Sequence, residues 1–583
     1  MGLSHSSSVI TYPHEEIYPR LDILDMTSNQ SYAPQFDLLI QSFQALQDRP
    51  YDDMRSFYQI AGIHGLPFTA YDGVEGAYPY RSSEFLGGRW GGYCHHGDVI
   101  FPTWHRAYAL LLEGQLRTEA KEIANKYPSD QKDKYVEAAK RLRHPYWDWA
   151  DEKAIKGVPD VFVTPTLEIN TPNGKQKVKN PLKSYTLPVD LADPLPKGLN
   201  PNDANYTVPN VSYIPFTPKG FQTVRHPNNK NVDQVDIMNI NMSTYIQSVF
   251  RPGFYQMFHI SDYTKFSNHG LTSRGEELPD FNPGHPKPFN RLGFSHFASW
   301  ETTHDGFHVV IGGTGGHMTY VDIAAFDPIF SFHHVNMDRI FALWQEIYPD
   351  SWIIPSIDVN GTYANIMSEV INEYTELAPF RKSENEFWTS DDVRDFTKLG
   401  YTYPEVEKFY GNSTAMLNYV LELYKPDPHY DTRFFVKVTI ESGKVKGPFV
   451  IRVFIDLPSA DSSTPTTSPN FAGFVAMWQS DAHNGTFVEG TVDITAAMER
   501  LNIRTQKHDF VHEVNLTTGL LNPASLFNIG TDINLVPVMI DGSEILPEAA
   551  GVKLVEVFSF EHDKVDKNFL VESTGQYYTA KKF

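Results

Sequence analysis

The spacing of apolar residues changes period near residue 430, and that change constrains the fold more than any other feature of the chain. Residues 37 to 60 and 105 to 142 carry apolar side chains at intervals of three and four, the repeat of amphipathic helices. From Phe434 onward the segments RFFVKVTI, GPFVIRVFIDL, FAGFVAMW, GTFVEGTVDI, NLVPVMI and VKLVEVFSF alternate β-branched or aromatic residues with polar ones, the repeat of sandwich strands. Two prolines in YKPDPHYD (Tyr424 to Asp431) separate the regimes. At 583 residues the chain is too long for one ordinary core. The expected fold class is α+β: a mainly helical domain over residues 1–424, a linker at 425–433 and a β-rich sandwich domain over 434–583. Residues 151 to 235, rich in Pro and Asn and without periodicity, read as a long ordered excursion over the helical body.

Charge and cysteine content narrow the chemistry. Lys plus Arg number 49 and Asp plus Glu 71, a net charge of −22 that repels nucleic-acid phosphates and anionic membrane surfaces. Cys94 is the only cysteine, which excludes an internal disulfide and every thiolate-rich metal site. Metal chemistry must therefore rest on histidine or carboxylate. The first residues lack the apolar core of a secretory signal, and no run of about 18 apolar residues follows, so the expectation is a soluble, cytoplasmic protein.

Histidines cluster in two places. His304 and His308 in ETTHDGFHVV are four apart, which on a helix sets two imidazoles on one face. Alone, that spacing describes two helix histidines with ordinary hydrogen bonds. It gains weight from FDPIFSFHHVNMDRIFALWQ, where His333 and His334 precede Asn336, Asp338 and Arg339 in an apolar run whose charged groups need partners, as a metal shell would supply. Far upstream, IHGLP contributes His64, and GGYCHHGDVIFPTWHRAY contributes Cys94, His95, His96 and His105. Three neutral imidazoles with an open position suit copper, zinc or, less strongly, non-haem iron, and ligand type does not choose among them.

The combination IHGLP, YC-x-HG, FPTWHR, HxxxH and DPIFxxHHxNxDR resembles fungal tyrosinases, members of the type 3 copper proteins. The likeness covers residues 15 to 425, with RLDILD near its start and YTYPE (Tyr401 to Glu405) near its end. It implies a central four-helix bundle holding two copper ions, one on His64, His96 and His105 and the other on His304, His308 and His334. It also implies a thioether between Cys94 and His96, with His95 and His333 as neighbours of the ligands. The implied activity is o-hydroxylation of monophenols and oxidation of o-diphenols to o-quinones, with O2 as co-substrate and small phenols as partners. Glu301 matches a glutamate that holds water at the site mouth. Asp305 stands where tyrosinases carry Asn, and a carboxylate there is a stronger base or ties up the water or a nearby cation. Val321 matches a position flanking the substrate entrance.

In relatives a C-terminal domain covers the copper site and inserts a side chain, giving a latent form released by an activating protease; Phe474, or failing that Phe471, is the expected plug. Three other readings use the same histidines: a catechol or o-aminophenol oxidase without monophenol activity, a haemocyanin-like O2 carrier, and a three-histidine metal hydrolase. Oligomeric state is open.

Overall fold

The structure, a computed structural model, describes residues 16–67, 69–74, 92–191, 217–270, 298–358, 361–365, 369–426, 432–478, 487–503, 520–521, 533–561 and 578–582. Four helices frame the site, α1 (Ala33–Asp48), α2 (Phe101–Ala124), α3 (Trp300–Gly312) and α4 (Ile329–Ile347), and the last three carry its helical histidines. Both α1 and α2 have proline in the first turn, where a missing N–H costs no intrahelical bond. The hydroxyl of Ser299 caps α3 by accepting the Thr302 N–H at 3.2 Å. Helix α2 packs on both α1 and α4, and α3 packs on α4.

Helix α4 is buried on nearly every side. Its charged residues are partnered by protein groups and not by a metal shell, which corrects the sequence expectation. Asp338 accepts from Arg20 at 2.8 Å, from Arg106 at 2.6 Å, and from the hydroxyls of Tyr401 and Tyr403 at 2.7 and 2.6 Å. Arg339 donates to Asp148 at 3.0 Å and to Glu405 at 2.6 Å. These pairs connect α4 to α2 and to the YTYPE segment.

The excursion between the helices is docked on them. A hairpin of Thr166–Thr171 and Gly174–Lys179 leads into a strap held by Arg225, which forks onto Asp327 at 2.5 and 2.8 Å. The next residue, His226, donates its backbone N–H to the last turn of α3, at Gly312 O, 2.6 Å. Residues 192–216 of this excursion lie outside the described residues.

The last helix of the first region ends at Leu423. Beyond it come β1 (Thr432–Glu441), β2 (Phe449–Ile455), β3 (Phe471–Met477), β4 (Phe487–Asp493), β5 (Leu520–Leu521), β6 (Ile533–Met539), β7 (Val552–Glu561) and β8 (Tyr578–Lys582). They form two four-stranded sheets, β3-β2-β6-β5 and β4-β1-β7-β8. Val436, Val438, Ile451, Val453, Val475 and Val555 fill the space between the sheets. The other face of the first sheet, with Val450, Phe454, Phe474, Ala476 and Val536, joins the apolar core of the helices. All seven residues of β3 are buried for that reason. Among the described residues no helix is long and apolar enough to cross a membrane.

Candidate metal centre

The six histidines of the two sequence clusters converge. His105 projects from α2, His304 and His308 from α3 and His334 from α4, while His64 follows the short helix Phe57–Gly62 and His96 sits in the loop before α2. The Nδ1 atoms of His64, His105 and His308 lie 3.1, 2.9 and 2.9 Å from the carbonyl oxygens of Val321, Phe101 and Met318. A carbonyl only accepts, so each of these Nδ1 atoms carries the ring proton and each Nε2 keeps a bare lone pair.

Those lone pairs face one another. The Nε2 atoms of His64 and His105 are 3.5 Å apart, and His304 Nε2 lies 3.1 Å from that of His308 and 3.3 Å from that of His334. Acceptors packed this closely repel unless a cation stands among them. Metal–nitrogen bonds of about 2.0–2.1 Å in tetrahedral array set ligand nitrogens about 3.3 Å apart, so the donor set fits a metal in each cluster. Burial pushes the His64 imidazole down to about 3, and burial together with neighbouring imidazoles holds His105, His304, His308 and His334 well below the usual range. They are neutral at pH 7, as ligands must be. The rings of His105 and His334 stack at 4.6 Å, which brings the two sets face to face.

The two remaining histidines of the motifs separate. His333 is grouped with His304, His308 and His334, their candidate ligand atoms all within 4.8 Å of one another, and its ring stacks on Phe307 at 4.4 Å. His95 turns to a separate buried cluster, with Nδ1 2.8 Å from Asp98 and Asp358 close by. Cys94 is buried two residues before His96. Val321 is buried as well, and what it supplies directly is the carbonyl that orients His64.

Glu301 and Asp305, both fully buried on α3, hold groups next to the ligands. Both oxygens of Glu301 accept the N–H of Gly97, beside His96, at 2.8 and 3.0 Å. Asp305 Oδ1 takes the Nδ1–H of His304 at 2.9 Å, the carboxylate–histidine pairing that fixes a metal-bound ring. Its Oδ2 lies 3.3 Å from Nδ1 of His269. Burial pushes the Glu301 carboxyl up to about 8, against the pull of His269, and burial pushes Asp305 well above the carboxylate range. Sequence reasoning missed His269, which has no histidine at metal-ligand spacing.

The aromatic side chain over the histidines is Trp478, which corrects the expectation of Phe474 or Phe471. Its ring stacks on His308 at 3.7 Å and 18°, and lies 5.2 Å from His304 and 5.5 Å from His96. The indole N–H donates to Thr319 O at 2.7 Å. Phe474 and Phe471 face Tyr245 instead, at 5.0 and 6.0 Å. Side chains 474, 476 and 478 share one face of the strand, and the last of them, just past the end of β3, reaches the site. Strand parity was the available signal.

Two buried sets of clustered imidazoles, face to face, define a dinuclear histidine-ligated metal protein. The sequence profile of the common central domain of tyrosinase matches residues 54–347. The chain belongs to the tyrosinase family, and its two histidine sets are the family's two copper sites. It is 34% identical over 404 residues to polyphenol oxidase 2 of Agaricus bisporus, covering 68% of this chain and 63% of that one. It is 32% identical over 399 residues to the tyrosinase of Podospora anserina, covering 67% and 62%. The match thus spans less than two thirds of these relatives. In fold, it is similar to a structure of latent and active mushroom tyrosinase (TM-score 0.72, 24% identity, 98% of each chain). It is also similar to Aspergillus oryzae pro-tyrosinase (TM-score 0.71, 20% identity, 100% of this chain and 98% of that one).

Proposed function

We propose that the protein uses O2 to o-hydroxylate monophenols and to oxidise o-diphenols to o-quinones, and that the folded chain is latent until its sandwich domain is displaced, with an activating protease as the partner that releases it. The carrying observation is Trp478, stacked on His308 at 3.7 Å among six buried imidazoles. Bound copper supplies O2 binding and electron transfer. The chain fixes the imidazole rings through the carbonyls of Val321, Phe101 and Met318. The face of His308 covered by the indole is the surface on which a phenol ring would stack. A phenol ionises near 10, so hydroxylation needs an acceptor for its proton. Glu301, held in place by the Gly97 N–H, is the carboxyl group that orients a water for that transfer.

Copper analysis of the loaded enzyme is expected to give two ions per chain, and Trp478→Ala or limited proteolysis to raise catechol turnover at least about tenfold. Unchanged turnover after both treatments overturns latency. A thioether between Cys94 and His96 belongs to this proposal, and intact-mass measurement showing the loss of two hydrogens tests it. The proposed location is the cytoplasm.

A second reading, a catechol oxidase, draws support from Asp305, whose Oδ1 takes the His304 Nδ1–H at 2.9 Å and whose Oδ2 lies 3.3 Å from His269 Nδ1. If the opened enzyme oxidises catechol but not tyramine, and Asp305→Asn restores tyramine turnover, this second reading replaces the first.

A further inference from the structure

His269 stands between the two carboxylates of the site. Its backbone N–H donates to Glu301 Oε2 at 3.2 Å, its Nε2 lies 3.7 Å from the same oxygen, and its Nδ1 lies 3.3 Å from Asp305 Oδ2. The ring is 12% exposed. Glu301 holds the amide beside His96 and Asp305 holds the ring of His304, so this one imidazole joins the groups that orient a ligand in each set.

The turn that carries His269 follows the short helix Tyr263–Ser267 and is closed by Asn268, whose side chain accepts the Gly270 N–H at 2.9 Å. Its other side is stitched to the sandwich. Gly270 bridges antiparallel to Val488 on β4, and the Glu489 N–H donates to His269 O at 3.3 Å. The Thr302 hydroxyl, in the first turn of α3, donates to Glu489 O at 3.5 Å. Glu489 is anchored within the sandwich by a buried ion pair with Lys437 on β1, 3.2 Å. Strand β4 lies at the edge of its sheet, so its outward N–H and C=O groups face this turn and the start of α3.

We infer that His269 is a positioning residue for the phenol approaching the second histidine set, and that edge strand β4 holds it there. The inference rests on the phenol-oxidase reading above. The sandwich then meets the site twice, once through Trp478, which fills the space over the histidines, and once through β4, which sets the carboxylates beside it. Removing the indole alone opens the site and leaves the carboxylates held.

The test uses the full chain with Trp478→Ala, alone and combined with His269→Ala or His269→Gln. In the copper-loaded proteins, His269→Ala is expected to raise KM for tyramine and to lower the tyramine-to-catechol kcat ratio by about tenfold, the low end for groups that orient metal ligands. His269→Gln, which keeps a donor, should recover most of that loss. In the apoproteins, hydrogen exchange at the Gly97 and Glu489 amides should accelerate with His269→Ala and stay unchanged with Trp478→Ala. Equal KM values and rate ratios across the set, with unchanged exchange at both amides, overturn the inference. If no variant turns over any phenol, the oxidase reading fails, while the exchange arm still decides whether His269 and β4 form one unit.

Discussion

The second histidine set stands entirely on α3 and α4, whereas the first takes only His105 from a helix and its other two members from loops. In the helical set the i,i+4 spacing of His304 and His308 already places two rings on one face, so local geometry does most of the aiming. In the loop set the aim comes from close backbone approach. Leu66 donates its N–H to Asp322 O at 2.8 Å, Tyr93 donates to Ile63 O at 3.1 Å, and both contacts sit beside glycines. A Cβ on Gly65 would lie 2.4 Å from Asp322 O, and one on Gly92, at φ +84°, would lie 2.7 Å from His64 O. A helix can supply ligands by repetition, while a loop must be held at each ligand.

The largest expected effect erases this difference. Asp338 on α4 pairs with Arg106, next to His105 on α2, and with Arg20, so it ties the two sets together. Asp338→Asn leaves buried guanidinium charge uncompensated and should cost about 3–5 kcal/mol, seen as a lower Tm with copper lost from both sets.

A smaller effect isolates the helical set. His144 contacts Ser331 on α4 at 3.0 Å, and burial holds its imidazole down to about 4. A lowered value means the unfolded chain binds the proton first, so this stability is complete above about 6.5 and is lost as pH falls through about 4. The His144 share of that loss should reach about 3 kcal/mol in denaturant titrations of the apoprotein, and His144→Gln should reduce the slope by that share. A slope unaffected by His144→Gln places the pH dependence elsewhere.

The smallest effect isolates the loop set. Gly65→Ala should cost about 1–3 kcal/mol and deplete the first set selectively, giving nearer one copper per chain than two. Equal depletion of both sets would show that the loops and helices are not independent supports.

Much of the site was legible because its chemistry is written in local spacing. HxxxH, the HH pair of DPIFSFHH and the FPTWHR helix start each place a histidine through one element's own geometry. His269 was not legible, since a single histidine after a short helix acquires its role only when a distant edge strand and two carboxylates close around it. The plug was misassigned to Phe474 or Phe471 for a related reason. Phe474 lies on the face of β3 that meets the helices, but how far along that face the site lies depends on how two domains dock. The charged residues of α4 were recognised as needing partners, yet those partners came from Arg20 and Arg106, 318 and 232 residues before Asp338, and from YTYPE, 63 to 66 residues after its partners. The change from helical to strand period matched the elements on either side of residues 427–431, which themselves lie outside the described residues.

The sheet buried on both faces bears on how latency would end. Because Val450, Phe454, Phe474 and Val536 belong to the core of the helical body, apolar burial and not only the connecting peptide holds the sandwich in place. Severing that peptide would turn an intramolecular cover into a tight bimolecular inhibitor, whose hold falls only as its effective concentration drops. A nicked enzyme would then wake on dilution, at a pace set by the dissociation rate of its own former domain.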